Sequence, residues 1–136
     1  MDFTLSRFVG RMRVAAFVFS AFALVATVFQ LALAAGMPWG KFTWGGKFPG
    51  TLPRHMRAIA IISAVLLICF GLVVSIRAGL LLPEWRPISR MLIWMVVAYC
   101  ALGVIANEAT PNRWERRVWL PVVLAMLVSS IIVGMS

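Results

Sequence analysis

The chain has 136 residues, of which 62% are hydrophobic and only 12% are charged. Soluble globular domains average about 45–50% apolar and about 25% charged residues, so this composition excludes an ordinary soluble domain and indicates an integral membrane protein. The net charge of +9 does not indicate nucleic-acid binding, because the basic residues stand at the ends of the apolar runs, where they match anionic lipid headgroups.

Four runs without a charged side chain divide the sequence, over residues 14–40, 58–76, 91–107 and 118–136. A helix that crosses a bilayer needs about 20 mostly apolar residues, and lipid offers no hydrogen-bond partner to an exposed backbone, so each run must be helical. We therefore predict one all-α integral membrane domain, residues 1–136, folded as a bundle of four transmembrane helices. The predicted spans lie near residues 14–35, 58–76, 91–106 and 118–135.

The first span carries a stripe of small and polar residues whose spacings of three and four place them on one helix face. The stripe consists of Ala16, Ser20, Ala23, Thr27, Gln30 and Ala34. Small and hydroxyl residues let helices approach closely in lipid, so this face is predicted to be a helix–helix seam. The amide of Gln30 needs a partner, and we expect it to lie beside Asn107 and Glu108 at the end of the third span.

The connection between the first two spans, residues 36–55, contains five of the ten glycines and three of the seven prolines. Helix connections in bundles usually have about 2–8 residues, and long ordered loops frequently carry function. Aromatic residues recur throughout this segment, so it is predicted either to fold onto the bundle as a lid or to act only as an anchor at the lipid interface.

Helix boundaries have local signals. Pro53 suits the first turn of the second helix, and Arg77 followed by Gly79 suits its end. Asn112 with Glu115 three residues later has the form of a capping box, which predicts the start of the fourth helix.

Basic residues divide almost evenly between the two faces of the predicted bundle. We call side A the face with residues 36–57 and 107–117, and side B the opposite face. Side A carries Lys41, Lys47, Arg54, Arg57, Arg113, Arg116 and Arg117, and side B carries Arg7, Arg11, Arg13, Arg77, Arg86 and Arg90. The three arginines before the first span favour cytoplasmic termini. The near tie also fits a protein that inserts in both orientations and pairs with its inverted self.

Side A holds the candidate binding residues. Residues 36–57 include no acid, so this face offers basic and aromatic groups to an anionic headgroup, another anion or a partner protein. The candidates are Gln30, Trp39, Lys41, Trp44, Lys47, Arg54, His55, Arg57, Asn107, Glu108, Arg113, Trp114 and Glu115.

Signals for catalysis are weak. His55, Glu108 and Glu115 share side A without any motif spacing, and the sequence has no HExxH, nucleotide-binding loop or nucleophile elbow. The four uncharged runs contain no ionisable Asp, Glu, Lys, Arg or His, which disfavours a proton-coupled carrier. We therefore predict no catalytic residue, no metal site and no cofactor.

Two stretches are distinctive: GMPWGKFTWGGKFPGTLPRHMR after the first span, and NEATPNRWERRVWLPVVLAML leading through the fourth. On these stretches the chain resembles a group of small bacterial four-helix inner-membrane proteins of unknown function. The resemblance implies a place in the bacterial cytoplasmic (inner) membrane and assigns no catalytic residue.

These observations favour a non-enzymatic, multi-pass accessory protein that binds a partner or a lipid through side A. Its expected partners are membrane lipids and either further copies of itself or a larger membrane complex, with no nucleic acid. Two alternatives stay open. One is a dual-topology transporter or channel for a small solute, and the other is a lipid- or quinone-directed membrane enzyme that would require Glu108 or His55.

Overall fold

The computed structural model describes residues 3–136, which form four long α-helices and no β-strand. The helices are α1 (Phe3–Ala34), α2 (Arg54–Arg77), α3 (Arg86–Ala109) and α4 (Arg113–Gly134). Each of the four is long and apolar enough to cross a membrane. The prediction of an all-α bundle of four membrane-spanning helices is therefore confirmed, and the chain is a multi-pass membrane protein.

The helices extend beyond the predicted spans, most of all at the start of α1. This helix begins at Phe3, whereas the predicted span begins near residue 14. An arginine marks where hydrocarbon ends, but it does not interrupt backbone hydrogen bonding, so the helix continues into water. The 32 residues of α1 measure about 48 Å at about 1.5 Å per residue, well above the roughly 30 Å of the hydrocarbon core.

The helices run alternately up and down, and each packs against its neighbours in sequence while α4 closes the ring against α1. Phe19, Val74, Ile93 and Val133 are completely buried where the helices meet. The predicted seam on α1 lies largely at these contacts, since Ala16, Ala23 and Thr27 are buried, and Ser20, Gln30 and Ala34 are half-buried.

The helix ends at Gly36 and Gly79 share one backbone arrangement. Both glycines have a positive φ, of +102° and +77°. After α1, Met37 N donates to Ala32 O at 3.0 Å, and after α2, Leu80 N donates to Ser75 O at 3.0 Å. These bonds satisfy carbonyls that a helix end leaves free, and the predicted stop at Gly79 is confirmed.

Arg57 joins α1 to α2. Its Nε donates to Ala34 O, in the last turn of α1, at 2.9 Å. A candidate binding residue of the sequence thus has a structural role, because its guanidinium satisfies a free carbonyl at a helix end.

The segment between α1 and α2, residues 36–53, is folded back on itself, and we call it the lid. It contains two single 3-10 turns, Gly40–Phe42 and Trp44–Gly46. Gly40 N donates to Gly50 O at 2.8 Å, and Thr51 Oγ1 donates to Gly36 O at 3.0 Å. A Cβ on Gly40 would lie 1.8 Å from the carbonyl oxygen of Phe48, so only glycine fits where the two halves of the lid meet.

Replacing Gly40 with alanine is expected to destabilise the protein by about 1–3 kcal/mol, because the new methyl group must displace backbone rather than a flexible side chain. Thermal unfolding in detergent measures this change. Gly71→Ala is the control, because a Cβ at Gly71 has no neighbouring atom within 4 Å and alanine favours a helix over glycine. Equal melting temperatures for Gly40→Ala and the natural protein would contradict the packing of the lid.

Candidate binding site on side A

The lid lies over the beginning of α4 and is attached there by the side chains of Glu115 and Asn112. Gly45 N donates to Glu115 Oε2 at 2.8 Å, and Asn112 Nδ2 donates to Lys41 O. These two contacts join segments about 70 residues apart in sequence, and they give the lid a defined position on the bundle. Thr110 Oγ1 donates to the same oxygen of Glu115 at 3.2 Å and supports the first contact.

At the start of α4, only the N-cap half of the predicted capping box is formed. Asn112 Oδ1 accepts a hydrogen bond from Trp114 N at 3.2 Å, as expected of an N-cap residue. In a capping box Glu115 would accept from Asn112 N, but Asn112 N donates to Thr110 Oγ1 at 3.3 Å. The carboxylate of Glu115 is turned instead to the lid. Residue spacing cannot distinguish these two uses, because the lid is remote in sequence.

Aromatic rings add a second set of contacts between the lid and the helices. Phe29 of α1 stacks with Trp39 at 6.1 Å between ring centroids and meets Trp119 of α4 at 4.5 Å. Phe42 contacts Trp114 edge to face at 6.4 Å. Offset and edge-to-face pairs at such distances are favourable beyond the apolar area that they bury, so these rings help to hold the lid on α1 and α4.

A cavity of about 370 Å³ lies beneath the lid. Three polar side chains from three parts of the chain converge on it: Gln30 of α1, Asn107 of α3 and Glu115 of α4, with Thr43 of the lid beside them. The remaining lining residues are Ala26, Phe29, Leu67, Tyr99, Cys100, Leu102, Gly103, Ala106, Trp119, Val122, Val123 and Met126. An apolar pocket with a few converging polar groups is the usual form of a small-molecule site.

The polar groups of this cavity are only partly satisfied by the protein. Asn107 Nδ2 donates to Gly103 O at 2.7 Å, while no hydrogen bond to Asn107 Oδ1 is formed within residues 3–136. The side-chain amide of Gln30 makes no hydrogen bond to any residue of that range. Half-buried amides without protein partners are available to water or to a ligand.

A larger groove, of about 840 Å³, lies on the outer surface between α1 and α4. Its lining is apolar apart from Arg11, Ser129 and Ser136. It faces the hydrocarbon along most of its length and has no comparable group of converging polar side chains, so the cavity under the lid is the better candidate site.

Most of the predicted basic and aromatic candidates lie outside the cavity, on the outer surface of side A. The exposed members are Trp39, Lys41, Trp44, Lys47, Arg54, His55, Arg113 and Trp114. Lys41 Nζ lies 5.0 Å from the ring of Phe42 and 5.3 Å from that of Trp114. Side A thus has two different parts, a basic outer surface and an inner cavity.

The expected neighbour of Gln30 differs from the observed one. Glu108 is exposed and does not line the cavity, whereas Glu115 does. Glu108 follows Asn107 directly, and consecutive helical residues point about 100° apart, so the two cannot share a face.

Sequence reasoning did not select several residues that build the site. Thr110 and Asn112 hold the lid, and Tyr99 and Trp119 form walls of the cavity. Tyr99 is the only tyrosine of the chain and stands in an otherwise apolar span, which is a usable signal. Trp119 is indistinguishable in sequence from an interfacial anchor.

The arrangement offers little for catalysis in the part of the chain that the structure describes. His55 is exposed and contacts Phe48 edge to face at 6.4 Å, and no hydrogen bond or ion pair links it to Glu108 or Glu115 within residues 3–136. No group of three His, Cys, Asp or Glu side chains in that range is placed to hold a metal ion.

No protein-family model matches the chain, and no curated protein or solved structure matches it either. The resemblance to small bacterial inner-membrane proteins stays a prediction, and function has to be argued from the geometry of side A.

Replacing Asn112 with aspartate separates its two roles. Aspartate keeps the acceptor for Trp114 N but removes the donor to Lys41 O, so the lid should open more often while α4 stays capped. We expect roughly tenfold faster hydrogen exchange of lid amides, measured by mass spectrometry. Ser63→Ala is the control, since the Ser63 hydroxyl donates only to Ile59 O within α2, away from the lid. Unchanged exchange in Asn112→Asp would show that this contact does not hold the lid.

Proposed function

We propose that this protein is a non-enzymatic, multi-pass protein of the bacterial cytoplasmic membrane that binds anionic lipid headgroups through the lid on side A. The observation that carries the proposal is the outer surface of the lid. Lys41 and Lys47 are exposed on it, and Arg54 and Arg113 are exposed at the adjoining ends of α2 and α4. Residues 36–57 contain no acid.

The exposed aromatic residues support lipid as the occupant. Trp44 is 48% exposed and Trp114 is 52% exposed, both beside the basic side chains. Tryptophan favours the boundary between hydrocarbon and water, and Lys or Arg near an anionic surface contributes about 1 kcal/mol each. A surface with both is suited to a phospholipid, whose headgroup is charged and whose glycerol region is amphipathic.

The lid has a defined backbone structure, so its basic residues are held at defined positions and do not form a diffuse band of charge. Gly40, Glu115 and Asn112 fix the backbone that carries Lys41 and Lys47. A binding surface that is already ordered loses less conformational entropy when a ligand arrives. Arg57 is not among the proposed headgroup contacts, because its guanidinium already donates a hydrogen bond to α1.

Lipid binding is tested by titrating phosphatidylglycerol into the purified protein in a neutral detergent and counting bound lipids by native mass spectrometry. The variant Lys41→Gln, Lys47→Gln, Arg54→Gln, Arg113→Gln should bind the tightest lipid roughly thousandfold more weakly, since four charges that contribute about 1 kcal/mol each are removed.

The matched control removes four exposed arginines of side B, by Arg7→Gln, Arg11→Gln, Arg13→Gln and Arg86→Gln, and should keep the tightest lipid. If both variants lost lipid affinity equally, side A would bind lipid no better than any other basic surface at the membrane interface, and the proposal would be contradicted. Release of a bound protein rather than a lipid by the side A variant would favour a partner subunit instead.

Orientation is part of the same proposal, with side B and both termini in the cytoplasm. The three arginines that precede the first span support this placement. A fluorescent reporter on the C-terminus should be active in the cytoplasm, and an alkaline phosphatase reporter at the same position should be inactive. Activity of both fusions would point to insertion in both orientations and favour the dual-topology transporter or channel.

A further inference from the structure

The cavity beneath the lid has the opposite electrostatic character to the surface above it. Among residues 3–136, no Lys, Arg or His lines it, and Glu115 is the one charged residue that does. The anionic ligand expected from the composition of side A therefore suits the outer surface but not the interior. A buried site with a carboxylate and no cation attracts a positive ligand.

The charge of Glu115 is not neutralised by the protein. Its Oε2 accepts hydrogen bonds from the neutral donors Gly45 N and Thr110 Oγ1, and no Lys or Arg forms an ion pair with it within residues 3–136. Placing a carboxylate in a half-buried, largely apolar site has a desolvation cost that a paired cation would offset.

The free polar atoms beside Glu115 are mainly acceptors. The amide oxygen of Asn107 remains available because its nitrogen is engaged with Gly103, and Gln30 adds a second amide. A protonated amine carries up to three N–H donors and no acceptor. Its donors match the Glu115 carboxylate and the amide oxygens of Asn107 and Gln30, while the amide nitrogen of Gln30 is left to water.

The opposite side of the cavity is apolar and aromatic. Trp119, Tyr99 and Phe29 present rings, and Val123 and Met126 add aliphatic and thioether surface. Aromatic rings attract cations and also pack well against hydrocarbon. The cavity is thus matched to one molecule with a charged end and an apolar body.

Access to the cavity does not require passage across the basic surface. Leu102 and Tyr99 line the cavity on α3 and are 66% and 40% exposed, and both stand within a membrane-spanning helix. A lipophilic cation can therefore enter sideways from the bilayer. The exposed bases of side A stand in water, where salt screens their repulsion over about 10 Å.

We propose that the cavity beneath the lid is a binding site for a small apolar organic ammonium ion. The ammonium group lies against Glu115, Asn107 and Gln30, and the apolar body packs against Trp119 and Met126. This site is separate from the proposed lipid surface, because the two share no charged residue.

The test uses isothermal titration calorimetry on the full chain in nanodiscs of zwitterionic lipid, with empty nanodiscs as the baseline. 2-Phenylethylammonium is the probe, and 2-phenylethanol is its uncharged analogue of similar size. The ammonium ion should bind at least roughly tenfold more tightly than the alcohol, because only the ion gains from the carboxylate.

Glu115→Gln keeps an acceptor for Gly45 N and Thr110 Oγ1 while removing the charge. It should lower the affinity for 2-phenylethylammonium by roughly tenfold or more and leave 2-phenylethanol unchanged. Glu108→Gln is the matched control on the same face, outside the cavity, and should have no effect on either ligand.

A second variant guards against a lid that opens in Glu115→Gln. Asn107→Leu leaves every hydrogen bond and ring contact of the lid in place, because the Asn107 side chain donates only to Gly103 O of α3. It removes the free amide oxygen and should weaken binding of 2-phenylethylammonium more than binding of 2-phenylethanol. The proposal is overturned if the natural protein binds neither probe, if it binds the alcohol as tightly as the ion, or if Glu115→Gln and Glu108→Gln behave alike.

Discussion

Hydrocarbon cannot form hydrogen bonds, and that constraint determines where every irregular part of this protein lies. Peptide groups inside the bilayer are satisfied within four helices, so the turns and the glycines with a positive φ lie at the ends of the bundle. The lid is the longest connection between helices. Its backbone groups form hydrogen bonds with one another and with the side chains of Asn112 and Glu115 at the start of α4. Side A has a complex surface because it is one of the two places where such a surface is permitted.

Local features of the sequence were enough to predict the architecture. Charge-free runs located the four spans, Gly79 located the end of α2, and the stripe from Ala16 to Ala34 located the packing face of α1. Each of these depends on residues within a few turns of one another. The extension of α1 into water was not predicted, because a change in charge marks the edge of the hydrocarbon but not the end of a helix. The ends of α2 were predicted, because Pro53 and Gly79 are signals for the ends of the helix itself.

The site was less predictable because it joins distant parts of the chain. Gln30 was expected to lie beside Asn107 because both are polar residues near the same end of a span, and the two line the same cavity. Whether Glu108 or Glu115 lines the cavity depends on the rotation of α3 and on the path of the lid. The spacing of residues in the sequence determines neither of these. Asn112 has a recognisable cap signal, yet its contact with Lys41 depends on a backbone position set by Gly40 and Gly50.

Glu115 belongs to the lid and to the cavity at once, and this has a thermodynamic consequence. A molecule that changes the position or the charge environment of the Glu115 carboxylate also changes the free energy of the hydrogen bond from Gly45 N. Binding linkage is reciprocal: if a ligand of the cavity changes the affinity of the lid surface for lipid, the lipid changes the affinity of the cavity for that ligand by the same factor. Glu115 is the side chain through which the proposed lipid surface and the proposed cavity site would be coupled.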